Sequence, residues 1–390
     1  MKLLEGFTVL DLGTFITAPY AAMLLAELGA NVIKVERPDG GDPFRWFSGG
    51  LSSPHFQAHN RHKRSVALDY KAPRGLELLH SLIEHADALV INVRPGVEKR
   101  LGLDEATLRR INPKLVFCFI TGFGADGPYA NRPAYDNVGQ ALSGLLSRFH
   151  TGRDPRVAGP AISDAVTGIF ACLGLVSALL ERTRTGVGRK VEVNMIEATL
   201  ALAIEPLAHY LVNGDEQPFY QRGAMSQAYV LTCADGKRIA LQMSSPDKFW
   251  KGLAAVIEVP DLLARYPDRK SRVANYETIG QELAKIFIGK PRREWLDRLA
   301  QQDVPYALES TLSELEDDRQ VQHLDIFHDL EHPAVGRVRS IRRAIRCDGS
   351  REMDFRPPPL LGEHTREVLG EMLGLSDREL SDLSDGGVIT

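Results

Sequence analysis

Short apolar runs alternate with helix-spaced apolar positions through the first third of the chain. FTVLDL (7–12) is a compact apolar run and predicts a buried strand. Gly13 and a loop lead to Pro19, suited to a first helical turn because its missing N–H has no partner there anyway. YAAMLLAEL follows at helical spacing, and Gly29 stands where a helix end takes positive φ. NVIKVE (31–36) predicts a second strand. Strand, helix and strand in about thirty residues make a βαβ unit, and hence a parallel sheet. The theme continues with a helix over Gly75–His85, a strand over Ala88–Asn92, a helix over Asp104–Arg110 capped by its leading Asp, and a strand over Leu115–Thr121.

The middle changes character. Residues 136–150 and 164–182 are long helical patterns, Gly186–Glu192 enters a strand, and Asn194–Val212 is again apolar and helical. The polar stretch 213–227 reads as a linker. Tyr229–Cys233 and Lys237–Gln242 flank an Asp235-Gly236 turn, a strong hairpin signal. Helices opening at Ser245-Pro246 and spanning Tyr276–Phe287 and Arg292–Gln301 complete an α+β unit. LSELEDD (312–318) suggests a second linker, RVRSIRRAIR (337–346) a half-exposed strand, and Gly362–Leu373 a closing helix.

At 390 residues the chain exceeds what one core usually supports, so two domains are expected. Hydrophobic content of 44% with 25% charged residues is ordinary for a globular protein. A formal charge of −4 without a polybasic tail gives no footprint of a nucleic-acid binder. Cys118, Cys172, Cys233 and Cys347 are widely spaced, reading as free thiols in a reducing compartment. The N-terminus lacks the apolar core of a signal peptide, and the apolar stretch Ala165–Leu180 is shorter than a bilayer span of about 20 residues. It reads as a buried core helix, and the protein as cytoplasmic with no membrane partner.

Candidate chemistry is sparse. Gly122-Phe-Gly124-Ala-Asp-Gly127 matches a dinucleotide fingerprint and Glu36 stands where a ribose-binding acid would sit, but Pro128 and Pro133 follow where a helix should open. Nicotinamide binding is therefore set aside. His55, His59 and His62 in PHFQAHNRHKRS lack acidic or thiolate neighbours, so no metal site is expected and the stretch reads as a solvated, partly basic loop. Asp164, in AISDAVTG before the long apolar helix, has two readings. It is either the helix N-cap or a rigidly held carboxylate able to attack an activated carbonyl. Spacing leaves both open.

Eight segments in order carry a resemblance. They are VLDLGTFITAPYAAMLLAELGANVIKVE, KRSVALDYK, NVRPGVEKRLGLD, TGFGADGP, PAYDNVGQALSG, ISDAVTG, RTRTGVGRKVEVNM and RPPPLLGEHT. Together they resemble the family III CoA-transferases, the group containing formyl-CoA transferase, the carnitine-related CoA-transferases and α-methylacyl-CoA racemase. The resemblance implies an α/β fold with a Rossmann-like parallel-sheet large domain built from both chain ends and a smaller α+β domain. Expected bounds are 1–200, a linker 201–224, the small domain 225–315, a linker 316–335, and 336–390. It also implies an interlocked homodimer.

By the same resemblance, Asp164 matches the family's catalytic aspartate, which attacks an acyl-CoA thioester and passes through an anhydride and an aspartyl–CoA thioester. CoA and acyl-CoA enter as substrates, with a small carboxylic acid as acceptor and no permanently bound cofactor. Positions matching CoA contacts are Ile16, Thr17 and Arg37; Leu68, Asp69, Tyr70 and Lys71; Asn92, Val93, Arg94 and Arg100; and Ala134, Tyr135 and Asp136. The glycine-rich loop of formyl-CoA transferases is not evident, with only Gly223 in a comparable region, which counts against oxalate or formate as substrate. The racemases of this group use a His–Asp pair where this chain has Tyr135-Asp136, and tyrosine, with a pKa near 10, is a poor substitute. Part of the substrate pocket is expected from the small domain, around Gln242–Ser245. A racemase and a non-catalytic CoA-binding protein are the alternative readings.

Overall fold

Six strands form one parallel sheet: β1 Thr8–Asp11, β2 Asn31–Glu36, β3 Lys63–Ala67, β4 Ala88–Ile91, β5 Val116–Thr121 and β6 Lys190–Asn194, in the order β3-β2-β1-β4-β5-β6. The structure is a computed structural model that describes residues 2–48, 53–149, 156–157, 159–244, 247–332, 334, 336–351 and 356–390. Burial on both faces makes the central strands continuous apolar runs such as ALVI and VFCFIT. One face is covered by the helices Pro73–Glu84 and Thr365–Leu373, with Leu78, Leu82, Val368 and Leu369 fully buried. The other is covered by the helices Thr17–Glu27 and Ile162–Thr185, through Ala18, Ala22, Ala171 and Leu175. Their close approach depends on Gly168, where a Cβ would lie 2.9 Å from the Thr17 carbonyl oxygen.

The chain divides into two compact units, one of residues 1–207 and 325–390, the other of 208–324. In the first unit, residues 388–390 return to the sheet: Asp69 N–H donates to the Val388 carbonyl at 2.8 Å, and Thr390 N–H to Ala67 at 3.3 Å. The second unit holds the antiparallel sheet β7 Ala228–Thr232, β8 Arg238–Gln242 and β9 Tyr306–Leu308. Its hairpin turns at Asp235-Gly236 as the sequence implies, and its core is built on Trp250, Phe287 and Trp295.

Several elements differ from expectation. The pattern over 136–150 yields a helix only from Asp136 to Leu142, ended by Ser143-Gly144, and then a single 3₁₀ turn, Leu146–Arg148. The apolar stretch 194–212 breaks at Ala203 into two helices, Met195–Leu202 and Ile204–Asn213. The polar stretch 213–227 includes the helix Gln221–Ser226. Residues 54–64 are no solvated loop. Pro54–Asn60 is a helix, and Arg61 and Lys63 are buried in ion pairs with Glu27 and Asp11. The helix over Ile162–Thr185 is 24 residues long, long and apolar enough to cross a membrane by length and composition. It is not wholly buried: one face packs on the first helix and the sheet, while Ile169, Leu173 and Leu180 lie exposed on the other.

A charged cluster sits at the carboxyl ends of β1 and β2. Lys34, with no exposed surface, lies 3.0 Å from Asp42 and 3.6 Å from Asp11 and donates to the Gly13 carbonyl at 2.9 Å. Lys63 donates to Asp11, Asn60 and the Pro19 carbonyl at 2.7–2.8 Å. Arg45 grips Glu36 with two hydrogen bonds, 2.8 and 2.6 Å long. Three acids thus face three bases. Burial pushes the Asp11 carboxyl up, but the two lysines and the Gly13 N–H outweigh it and hold it below the usual range. Burial lowers the Lys63 ammonium to about 8, while the surrounding acids overcome burial at Lys34 and raise it. Removing one member leaves an unpaired buried charge, a loss of roughly 3–5 kcal/mol. Lys34→Met is expected to lower unfolding stability by about that amount in urea titrations, and a change within experimental error would show the cluster to be dispensable.

Candidate active site

The strand order reverses direction between β1 and β4, and in open α/β sheets ligands bind in the crevice beyond the carboxyl ends at such a switch point. A cavity of about 590 Å³ opens there. Its floor is the loop 13–16. Asn92 accepts from Thr14 N–H at 2.9 Å and donates to the Thr14 carbonyl and the Thr17 hydroxyl, tying the β4 end to that loop. Phe15 has φ of +62°, a costly conformation for a non-glycine residue, and its N–H is held by the Asp42 carboxylate at 3.2 Å. The charged cluster therefore shapes the cavity floor directly. The Phe15 ring meets the exposed Tyr135 ring edge-on at 5.7 Å. Ile16 and Thr17 line the cavity at the N-terminus of the first helix, whose first turn carries no acid.

Asp164 also lines the cavity, and the structure decides between its two readings as regards the cap. The helix begins at Ile162, so Asp164 lies inside its first turn rather than at the N-cap. The cap comes from elsewhere in the chain: Asp136 Oδ1 accepts from Ser163 N–H at 2.8 Å and from Asp164 N–H at 3.2 Å. Gln140 donates to the other Asp136 oxygen at 2.5 Å, and the buried Ser163 hydroxyl pairs with Thr199 at 2.7 Å. The Asp164 backbone is thus clamped, while its carboxylate takes part in no hydrogen bond or ion pair among the described residues. Burial, and secondarily the nearby Asp136 carboxylate, push the Asp164 carboxyl up to about 7.

The matched positions fall into three groups. Ile16, Thr17, Asn92, Val93, Arg94, Arg100, Ala134, Tyr135 and Asp164 line the cavity. Asp136 lies behind it as the cap. Arg37, Leu68, Asp69, Tyr70 and Lys71 sit beyond the ends of β2 and β3 on the same sheet edge. Leu68 is fully buried, Tyr70 packs on the core, and Lys71 is exposed with its N–H bonded to Asp69. Glu36, once weighed as a ribose ligand, is consumed by Arg45 and Ser65. His55 and His59 pack on Phe44, and no metal-binding group occurs among the described residues. Gly223 lies in a helix against the Tyr276 hydroxyl rather than in a loop, and Ser245 lies outside the described residues. The cavity adds Thr14, Phe15 and Arg132, which sequence reasoning missed. Arg132 was hidden by the prolines around it.

The family model described as CoA-transferase family III matches residues 4–365. The chain belongs to this family. It is 32% identical over 399 residues to the succinyl-CoA:glutarate CoA-transferase of Mus musculus, covering 100% of this chain and 91% of that protein. It is 33% identical over 417 residues to the formyl-CoA:oxalate CoA-transferase of Rhodopseudomonas palustris, covering 100% and 97%. A crystal structure of a CAIB/BAIF family protein from Brucella suis superposes with a TM-score of 0.82 at 28% identity, covering 95% of this chain and 99% of that one. The chain is accordingly a CoA-transferase with an α/β fold.

The raised Asp164 carboxyl has a consequence for stability. Between about pH 4 and 7 the folded chain keeps a proton that the unfolded chain releases, so stability is lost as pH rises through this window. Asp164→Asn removes that penalty. Its melting temperature is expected to match the native protein near pH 4 and to exceed it at pH 8. Equal melting temperatures at pH 8 would mean that Asp164 titrates normally.

Proposed function

We propose that this CoA-transferase moves CoA from a short-chain acyl-CoA to a small carboxylic acid with Asp164 as covalent nucleophile. One observation carries the reading: Asp164 presents to the cavity a carboxylate with no hydrogen bond among the described residues, on a backbone clamped by Asp136. A carboxylate is a weak nucleophile and depends on a fixed pose. Asp164 attacks the thioester carbonyl, expelling CoA thiolate and forming a mixed anhydride. The thiolate then attacks the aspartyl carbonyl and releases the donor acid, leaving an aspartyl–CoA thioester. The acceptor carboxylate displaces CoA from it, giving a second anhydride, and the returning thiolate takes the acceptor acyl group and frees Asp164.

The first helix, with free N–H groups and no acid in its first turn, suits a developing oxyanion or a phosphate. Arg94 and Arg100 add cationic contacts for CoA phosphates, and the exposed Arg37 and Lys71 extend the binding surface along the sheet edge. The glutarate in a relative's name supports a dicarboxylic acid as acceptor. The exposed apolar stripe Ile169, Leu173 and Leu180 favours a homodimer, which we take to be interlocked as in the family. The free thiols suit a cytoplasmic setting.

Acyl-CoA thioesters incubated with carboxylic acids in deuterated buffer, with every CoA species read by mass, test the reaction. A new acyl-CoA matching an added acid is expected, and Asp164→Asn should abolish it while CoA still binds. Gain of one deuterium at the α-carbon without a new acyl-CoA would indicate a racemase. CoA binding with no turnover would indicate a binding protein.

The ionised carboxylate is the nucleophile, so transfer is expected to rise with pH through an inflection near 7. Asp136→Asn removes the neighbouring negative charge and should move that inflection to lower pH. An inflection that stays put in the variant would show that Asp136 does not tune Asp164.

A further inference from the structure

The charges lining the cavity are unequal. Among the described residues Asp164 is the one acid lining it, against three arginines: Arg94, Arg100 and Arg132. Arg45, Arg61 and Arg64 of the same unit are each paired with a carboxylate. None of the cavity arginines has such a partner among the described residues. Three uncompensated guanidinium groups in one crevice create a strongly positive field, and that selects anionic ligands.

The three cations are not equivalent. Arg94 and Arg100 follow β4 on either side of the Pro95-Gly96 turn. Arg132 belongs to the segment leaving β5 at Thr121 and returning to Tyr135 and Asp136. That segment is pinched at its base, where a Cβ on Gly122 would lie 2.3 Å from Ala134 Cβ. It ends on the carboxylate that clamps the Asp164 backbone. Arg132 is therefore the cation mechanically tied to the reacting carboxylate. Its guanidinium lies 3.8 Å from the Tyr129 ring centroid, and that ring rests edge-on against Phe123. Stacking fixes the guanidinium plane and leaves its edge donors free for a bidentate carboxylate.

The chemistry of the substrates separates the cations further. The phosphates of CoA are separated from its sulfur by the whole pantetheine arm. A short diacid, in contrast, carries its second carboxylate only a few bonds from the reacting one. Brought unaccompanied into this cavity, that second charge would meet the Asp164 carboxylate and be repelled.

We propose that Arg132, seated on Tyr129 beside the Asp164 cavity, anchors the distal carboxylate of a dicarboxylic substrate. The proposal rests on the transferase reading above and makes Arg132 the determinant of diacid over monoacid preference. Arg132→Gln removes the charge and Arg132→Lys keeps it without the planar fork.

The test compares glutarate with pentanoate, acids of equal chain length, as acceptors from succinyl-CoA, with CoA affinity measured separately by calorimetry. In Arg132→Gln, kcat/KM for glutarate should fall about 10- to 100-fold and that for pentanoate by less than about twofold. CoA affinity should be unchanged and Arg132→Lys intermediate. Equal losses for both acids with weakened CoA binding would overturn the proposal and assign Arg132 to the CoA phosphates. No change for either acid would overturn it as well. Failure of the native enzyme to transfer CoA from succinyl-CoA to either acid, with CoA binding intact, would overturn the dicarboxylic-acceptor reading and this inference with it.

Discussion

The cavity exists because six charges are neutralised out of reach of water. Asp11, Lys34, Asp42, Lys63, Glu36 and Arg45 come from β1, β2, β3 and the loop after β2, and each satisfies another. Hydrophobic packing holds the sheet and its helices together, but it does not specify where the loop after β1 goes. The cluster does: Lys34 takes the Gly13 carbonyl, and Asp42 holds Phe15 in a backbone conformation that a non-glycine residue otherwise avoids. Buried ion pairs contribute little net stability, so their value here lies in fixing one loop geometry.

A second division of labour lies across the cavity. An N-terminal helical turn needs acceptors for its free N–H groups, and a local Asp normally supplies them. Here Asp136 performs that duty from another helix, which leaves the Asp164 carboxylate within the first turn and without a partner among the described residues. The same proximity places two carboxylates near one another and contributes to the upward shift of the Asp164 carboxyl. Rigid placement and the smaller part of the altered acidity thus share one cause, burial supplying the larger part.

Much of the sheet was legible in the sequence because parallel strands buried on both faces are short apolar runs, and FTVLDL, NVIKVE and LVFCFIT stand out as such. The Asp235-Gly236 hairpin was equally clear. The charged cluster was not, since its members lie far apart in the chain. Its trace was present in Lys34 and Glu36, charged residues within a strand otherwise fit for a core. Asp164 stood out as a candidate, but the element that capped its helix did not, because a cap supplied by another helix leaves no mark in local spacing. Arg132 went unnoticed for a related reason: nothing in Asn131-Arg132-Pro133 reveals that the chain folds back beside Asp136.

The return of residues 388–390 to the edge of β3 bears on the order of assembly. The helix Thr365–Leu373 covers apolar surface contributed by β3 and the helix Pro73–Glu84, and the following residues complete main-chain hydrogen bonds to Ala67 and Asp69. A ribosome makes the whole unit 208–324 before it delivers them. Through that interval the helix Pro73–Glu84 covers that face of the sheet without Thr365–Leu373, leaving part of the cluster around Leu78, Leu79 and Leu82 open on the nascent chain. Such long-range closure is slow and exposes sticky surface in transit. The large unit thus completes its fold only after the whole small unit has been made, whereas the small unit is contiguous in the chain.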